Sequence, residues 1–178
     1  MEFSPWKHPA IIEHNQRLIQ SFIRWTGRSL LPLEDTPEEI AHALFEAPFV
    51  VVSHGTEADP ILNYGNRKAL QLWEMDWDQF TQTPSRLTAE PMAQPDRDRL
   101  LTRAKASGYI DDYQGIRISS TGRRFLIQNV VLWNVIDEQN HPCGQAATFC
   151  KWEWLPSNMD QQELEGKSQD PEGERVGE

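Results

Sequence analysis

"YQGIRISSTGRRFLIQNVVLWNVID" occupies residues 113–137, and its reading decides the fold. Ser120-Thr121-Gly122 is a turn between two runs dense in β-branched and aromatic residues, which predicts an antiparallel hairpin. On the second run strict alternation places Phe125, Ile127, Asn129, Val131, Trp133 and Val135 on one face. Leu126, Gln128, Val130, Leu132, Asn134 and Ile136 take the other. From Val130 onward both faces are apolar, and a strand apolar on both faces must be covered on both. Asn129 is the polar exception on its face. Once buried, its amide either bonds to neighbouring backbone or lines a polar pocket.

Working outward, "GQAATFCKW" (144–152) reads as a third long strand after a turn over 137–144. Upstream, "FVVVSHG" (49–55) has the density of a buried strand, and 61–64 forms a second short one. The expected sheet therefore has five antiparallel strands. Between its halves lie short helices: one from near Asn66 aligning Ala69, Leu70 and Trp73, a turn capped by Asp76 holding Trp77 and Phe80, and a basic helix from Asp96 closed by Gly108. These cover one face. For the other face the natural cover is the helix over residues 8 to about 26, or a second copy of the chain. That helix carries Ile11, Ile12, Leu18, Ile19, Phe22 and Ile23 as one apolar stripe. Gly27 ends it, and Thr36, Pro37 and Glu39 form a capping box that starts a further short helix.

The fold class is α+β, in one domain: the chain of 178 residues is too short for two ordinary ones. The expected organisation is an N-terminal helical extension (1–36), a domain at 37–155 and a disordered acidic tail (156–178). Of the net charge of -10, residues from Glu153 onward hold eight acidic against two basic groups, giving -6 there and -4 in the rest. Such a body argues against direct nucleic-acid binding, which rests on Lys and Arg at phosphates. No stretch reaches the ~20 apolar residues of a membrane span, and no leader is visible. Cys143 and Cys150 read as reduced thiols without zinc-ligand spacing, so a soluble, cytoplasmic chain without a metal is expected.

"LNYGNRKALQLWEMDWDQF", "GYIDDYQGIRISSTGRRFLIQNVVLWNVID" and "GQAATF" together resemble the MEKHLA domain, a family related to PAS domains. The resemblance runs from about Pro37 to Trp154 and is closest to the stand-alone type of photosynthetic bacteria. It implies a PAS-like sheet and a sensory or regulatory role in signalling exercised through protein contacts, with a protein partner or a second copy. PAS photosensors that form a covalent flavin adduct use a cysteine on the helix after the Asn-containing turn, where "NRKALQLW" has none. Haem sensors of this class use a middle-section histidine, and none lies between His54 and His141. Neither cofactor is expected.

Four residues could line a pocket for a small non-covalent ligand: Trp73, Tyr113, Asn129 and Trp133. Core packing is the competing reading of the tryptophans. Val130 and Leu132 on the strand, with Ile11, Leu18 and Phe22 on the first helix, form the expected interaction surface. Arg117, Arg123 and Arg124 surround the hairpin and suit an anion or an acidic partner. Against these stands an enzyme reading, in which His54 and a carboxylate such as Asp112 would meet at a pocket. No nucleophile-elbow, zinc-protease or phosphate-loop motif accompanies them, so no catalytic residue is assigned.

Overall fold

The computed structural model describes residues 3–90 and 94–157; the acidic segment beyond 157 lies outside them. The strands are β1 (Val50–His54), β2 (Leu62–Gly65), β3 (Tyr109–Ile118), β4 (Arg124–Ile136), β5 (Pro142–Phe149) and β6 (Lys151–Trp154). They form one antiparallel sheet in the order β2-β1-β5-β4-β3, and β6 continues along β4 beyond β5. The expected five strands are all present. The last of them is divided at Cys150.

Helices cover both faces. α1 (Pro9–Thr26) lies on one face, with Leu18, Ile19 and Phe22 packed against Val51, Val131, Trp133, Val135 and Ala146. On the opposite face α3 (Arg67–Trp73), α4 (Trp77–Phe80) and α5 (Gln94–Ser107) bring Ala69, Leu72, Trp73, Phe80 and Ala104 onto Val50, Phe125, Ile127, Val130 and Phe149. α2 (Pro37–Phe45) buttresses α1, and a 3-10 turn at Pro5–Lys7 closes that corner by setting Trp6 on Phe45. The cover of the second face is thus supplied within the chain.

The helix boundaries follow from capping chemistry. Pro9 opens α1, and Gly27 closes it at φ 69°, a left-handed position that costs glycine little. Thr36 and Glu39 satisfy each other's backbone N–H groups in the expected box on α2. Asp76 caps α4. Gly108, at φ 78°, ends α5 where the ring of Trp25 lies 2.2 Å from the place a Cβ would occupy. Only glycine fits there on both counts.

Asn66 joins three elements. Fully buried, it caps α3 through Oδ1, which also accepts from Val51 N, while Nδ2 donates to Leu44 O and Phe49 O. All four amide bonds are made, welding the end of α2, the start of β1 and the start of α3.

The alternation expected along β4 does not hold. Asn129 takes φ 52°, the register against β3 slips between Gly115–Ile127 and Tyr113–Val130, and the side chains exchange faces at that bulge. Phe125 and Ile127 enter the α3–α5 core, but so do Val130 and Leu132, while Val131, Trp133 and Val135 enter the α1 core. β5–β6 changes parity in step: Phe149 and Trp152 both face the α3–α5 core. The register therefore carries over across the kink, pairing stopping at Val131–Thr148 and resuming at Gln128–Lys151. Asn129 itself is exposed, not buried.

Candidate functional site

The kink separates the residues expected to share a pocket. Trp73 sits in the α3–α5 core, its ring edge-on to Phe80, Phe125 and Phe149 at 6.0, 5.3 and 6.3 Å, and Nε1 donates to Thr88 O at 3.2 Å. Tyr113 enters the same core, and Arg117 lies over its ring and donates to its hydroxyl at 3.4 Å. Trp133 is on the other side of the sheet, edge-on to Phe22 at 5.0 Å, with Nε1 donating to Leu18 O. Asn129 faces solvent. The structure brings Trp73 and Tyr113 together and does not assemble the four.

The expected interaction surface is interior. Val130 is fully buried and Leu132 largely so in the α3–α5 core, while Leu18 and Phe22 are buried beneath α1 and Ile11 packs beside them. These residues hold one chain together, because the β4 bulge turns Val130 and Leu132 away from the α1 face and α1 docks in cis.

The hairpin arginines are each engaged. Arg124 pairs with Glu90, and Arg123 pairs with Glu74 at 3.3 Å while its guanidinium lies 3.8 Å from the centre of the Trp154 ring. Glu74 closes α3 in the left-handed region at φ 56° and receives the hydroxyls of Ser119, at 2.6 Å, and Thr121. These two hydroxyls, and then Arg123, hold its carboxyl below the usual carboxylate range. Ser120 completes the lock, donating from N to Trp73 O and from Oγ to Glu74 O. The basic tip is a clamp on the end of α3, with Arg123 and Arg124 each paired to a glutamate.

The enzyme pair is not formed. His54 Nδ1 bonds to Gly55 O at 2.8 Å, and Asp112 pairs with Arg103 at 3.3 Å on the far edge strand. Two strands, β5 and β4, stand between β1 and β3, which puts the two residues on the order of 14 Å apart at ordinary strand spacing. Among the described residues no group of three His, Cys, Asp or Glu could hold a metal ion. No described helix is long and apolar enough to cross a membrane.

A polar cluster beneath α1 was not anticipated. His14 Nε2 lies 2.8 Å from Ser53 Oγ, which donates to Asn63 Oδ1 at 2.5 Å. Beside it Asn15 and Tyr64 are almost wholly buried. Burial, and secondarily Arg17, pull the His14 imidazole down to about 4 from its ordinary 6.5. The signal lay in the apolar stripe: between the pairs Ile11-Ile12 and Leu18-Ile19, helical spacing puts His14 and Asn15 on the same inward face. A separate groove of ≈ 570 Å³ between the Pro5–Lys7 turn and α2, lined by Trp6, His42, Glu38 and Glu46 among others, touches none of the expected site residues.

The sequence profile of the MEKHLA domain matches residues 12–154. The chain belongs to the MEKHLA domain family. Its match begins inside α1, so the helix that covers the sheet is counted within the family's span. No curated protein matches the sequence. Solved structures place this MEKHLA domain with the PAS and light-oxygen-voltage folds. The PAS domain of a protein from Colwellia psychrerythraea is 12% identical with a TM-score of 0.55, over 68% of this chain and 98% of that one. A light-oxygen-voltage domain studied with a flavin analogue is 13% identical with a TM-score of 0.50, over 73% and 94%. The light-state dimer of the fungal blue-light photoreceptor Vivid is 12% identical with a TM-score of 0.51, over 76% and 92%. At such identities the likeness is one of fold.

Proposed function

We propose that this MEKHLA domain is a regulatory sensory module, not an enzyme, that acts by associating with a second copy of itself through the outer face of the sheet beyond α1. The observation that carries the reading is the β4 kink. It turns Phe125 and Ile127 inward, so their neighbours Leu126 and, by pairing, Ile116 and Ile118 point out on the α1 side of the sheet. All three are only partly buried and lie outside the two sheet cores. An apolar sheet face left open in this way favours self-association. One of the solved neighbours, the photoreceptor Vivid, is a dimer in its light state.

The module works without a covalent flavin. α3 (Arg67–Trp73) carries no cysteine, and Cys143 and Cys150 lie on β5 and at its end. The interior that a ligand would enter beside Trp73 is occupied by the rings of Phe80, Phe125 and Phe149. Any small ligand must displace them.

The test is Leu126→Glu, followed by sedimentation and native mass spectrometry at micromolar concentration. The parent chain is expected to be dimeric and the variant monomeric with an unchanged circular dichroism spectrum. A parent chain that stays monomeric across the concentration range would sink the proposal. A flavin or haem absorption band in the purified chain would overturn the reading of the interior.

A further inference from the structure

The interface between the N-terminal half of α1 and the sheet is polar and incompletely bonded. The single hydroxyl proton of Ser53 goes to Asn63, so Ser53 Oγ accepts from His14. The neutral imidazole therefore carries its proton on Nε2 and leaves Nδ1 bare. Next to it the Asn15 amide and the Tyr64 hydroxyl are buried with only each other to turn to, and no well-aligned bond forms between them. Buried polar groups this poorly bonded weaken the docking of the segment that carries them. The C-terminal half of α1 is held far better: Leu18, Ile19 and Phe22 are buried, Ser21 exchanges two bonds with Ile136, and Trp25 donates to Asn134 O.

We propose that protonation of His14 lifts the N-terminal half of α1 from β1 and β2, so that the fold contains a latch opened by acid. A second proton must enter at Nδ1 and places a charge on the half-buried imidazole between the helix and the sheet. On α1 itself the neighbouring charges are Arg17, which repels it, and Glu13, which is paired with Arg17 at 2.6 Å. β1 presents Ser53, with His54 turned to Gly55 O, and β2 presents Asn63 and Tyr64. From α2, His42 stacks on Trp6. No carboxylate among the described residues is bonded to the imidazole, so nothing offsets the added charge.

Lifting returns His14 to water and to its ordinary affinity for protons. Between the lowered value of about 4 and the ordinary 6.5 the lifted form binds more protons than the docked one. Docking is therefore fully favoured above that window and weakens by up to about tenfold per pH unit as pH falls through it. Trp6, seated on Phe45, and Phe22, seated on Trp133, tether the two ends, which confines the movement to the first half of the helix. What it uncovers is the β1–β2 face around Ser53 and Tyr64.

Hydrogen exchange of the full chain at pH about 7, 6 and 5, corrected for intrinsic rates, tests this. Amides of residues 9–17 are expected to lose protection about threefold from pH 7 to 6 and about sevenfold from 6 to 5, while 18–26 and β4 keep theirs. Uniform loss across the chain, or no loss in 9–17, overturns the latch. His14→Gln keeps a donor for Ser53 and does not titrate. It is expected to make the protection of 9–17 independent of pH, and a retained pH dependence overturns the assignment to His14. If that variant misfolds, the imidazole is titrated by NMR in the parent chain: a midpoint well below the ordinary value supports the latch, and one near 6.5 overturns it.

Discussion

Asn66 and Tyr64, two residues apart, illustrate opposite ends of polar burial. Every hydrogen-bonding position on the Asn66 amide is used, so Asn66→Ala leaves two N–H groups and two carbonyls to find new partners in a dry interior. Each such orphan costs about 1–3 kcal/mol, and a loss on the order of 4 kcal/mol in urea unfolding is expected. The Tyr64 hydroxyl has only the Asn15 amide to turn to and makes no well-aligned bond with it. Tyr64→Phe is therefore expected to be neutral or stabilising by about 1 kcal/mol, and a loss as large as that of Asn66→Ala would show that the hydroxyl is bonded after all. Asn129 gives a third case. Its side chain is exposed and its backbone sits at φ 52°, so Asn129→Gly removes strain without removing a contact. A gain of about 0.5–1 kcal/mol is expected, while Asn129→Val, β-branched in the left-handed region, should lose more than that.

At the scale of elements, α1 and the β3–β4 hairpin are held by different physics. α1 covers Val131, Trp133, Val135 and Ala146 with apolar area, fixed in direction by Trp133, Ser21 and Trp25 bonding across the interface. Removing residues 1–27 uncovers a contiguous apolar sheet face, and aggregation on expression is the expected outcome. A soluble product with an unchanged melting temperature would show that α1 contributes little. The hairpin tip is held by Glu74, whose carboxylate gathers Ser119, Thr121 and Arg123. Glu74→Ala is expected to raise exchange in residues 118–124 while leaving β5 protected, because the lock is local and β5 pairs on the other side of β4.

For the whole molecule, one sheet serves two cores. The β4 bulge decides which residues belong to each, and the distal third of the sheet lies beyond α1 with Ile116, Ile118 and Leu126 outward. Trp73→Ala tests the inner core. Its ring touches three others from three elements, and a loss of about 3–5 kcal/mol in chemical denaturation is expected. The two cores share β4, so unfolding is expected as a single transition by both tryptophan fluorescence and far-ultraviolet circular dichroism. Separate transitions would show that α1 and its core form an independent unit.

Local chemistry was legible in the residues themselves. The capping box at Thr36, the start at Asn66, the Asp76 cap, the stops at Gly27 and Gly108 and the hairpin turn at 120–122 are dictated by side chains within a few positions. The doubly apolar end of β4 likewise required a layer on each face, and the family followed from the same stretches. The sites were not legible, and one residue explains most of that. Period-2 reasoning carries a face assignment along a strand only while the register holds, and the slip at Asn129 moved Trp133 to one side and Val130 and Leu132 to the other. Whether an Asn in a strand is buried or bulged depends on the partner strand's register, which is a property of the assembled sheet. The arginines of the hairpin meet glutamates 34 and 49 positions away, and His14 meets Ser53 across 39. The sequence alone determined which segments become helix or strand and that both sheet faces need cover. Only the tertiary structure decided which side chains meet, because contacts between distant segments depend on a register that no local preference encodes.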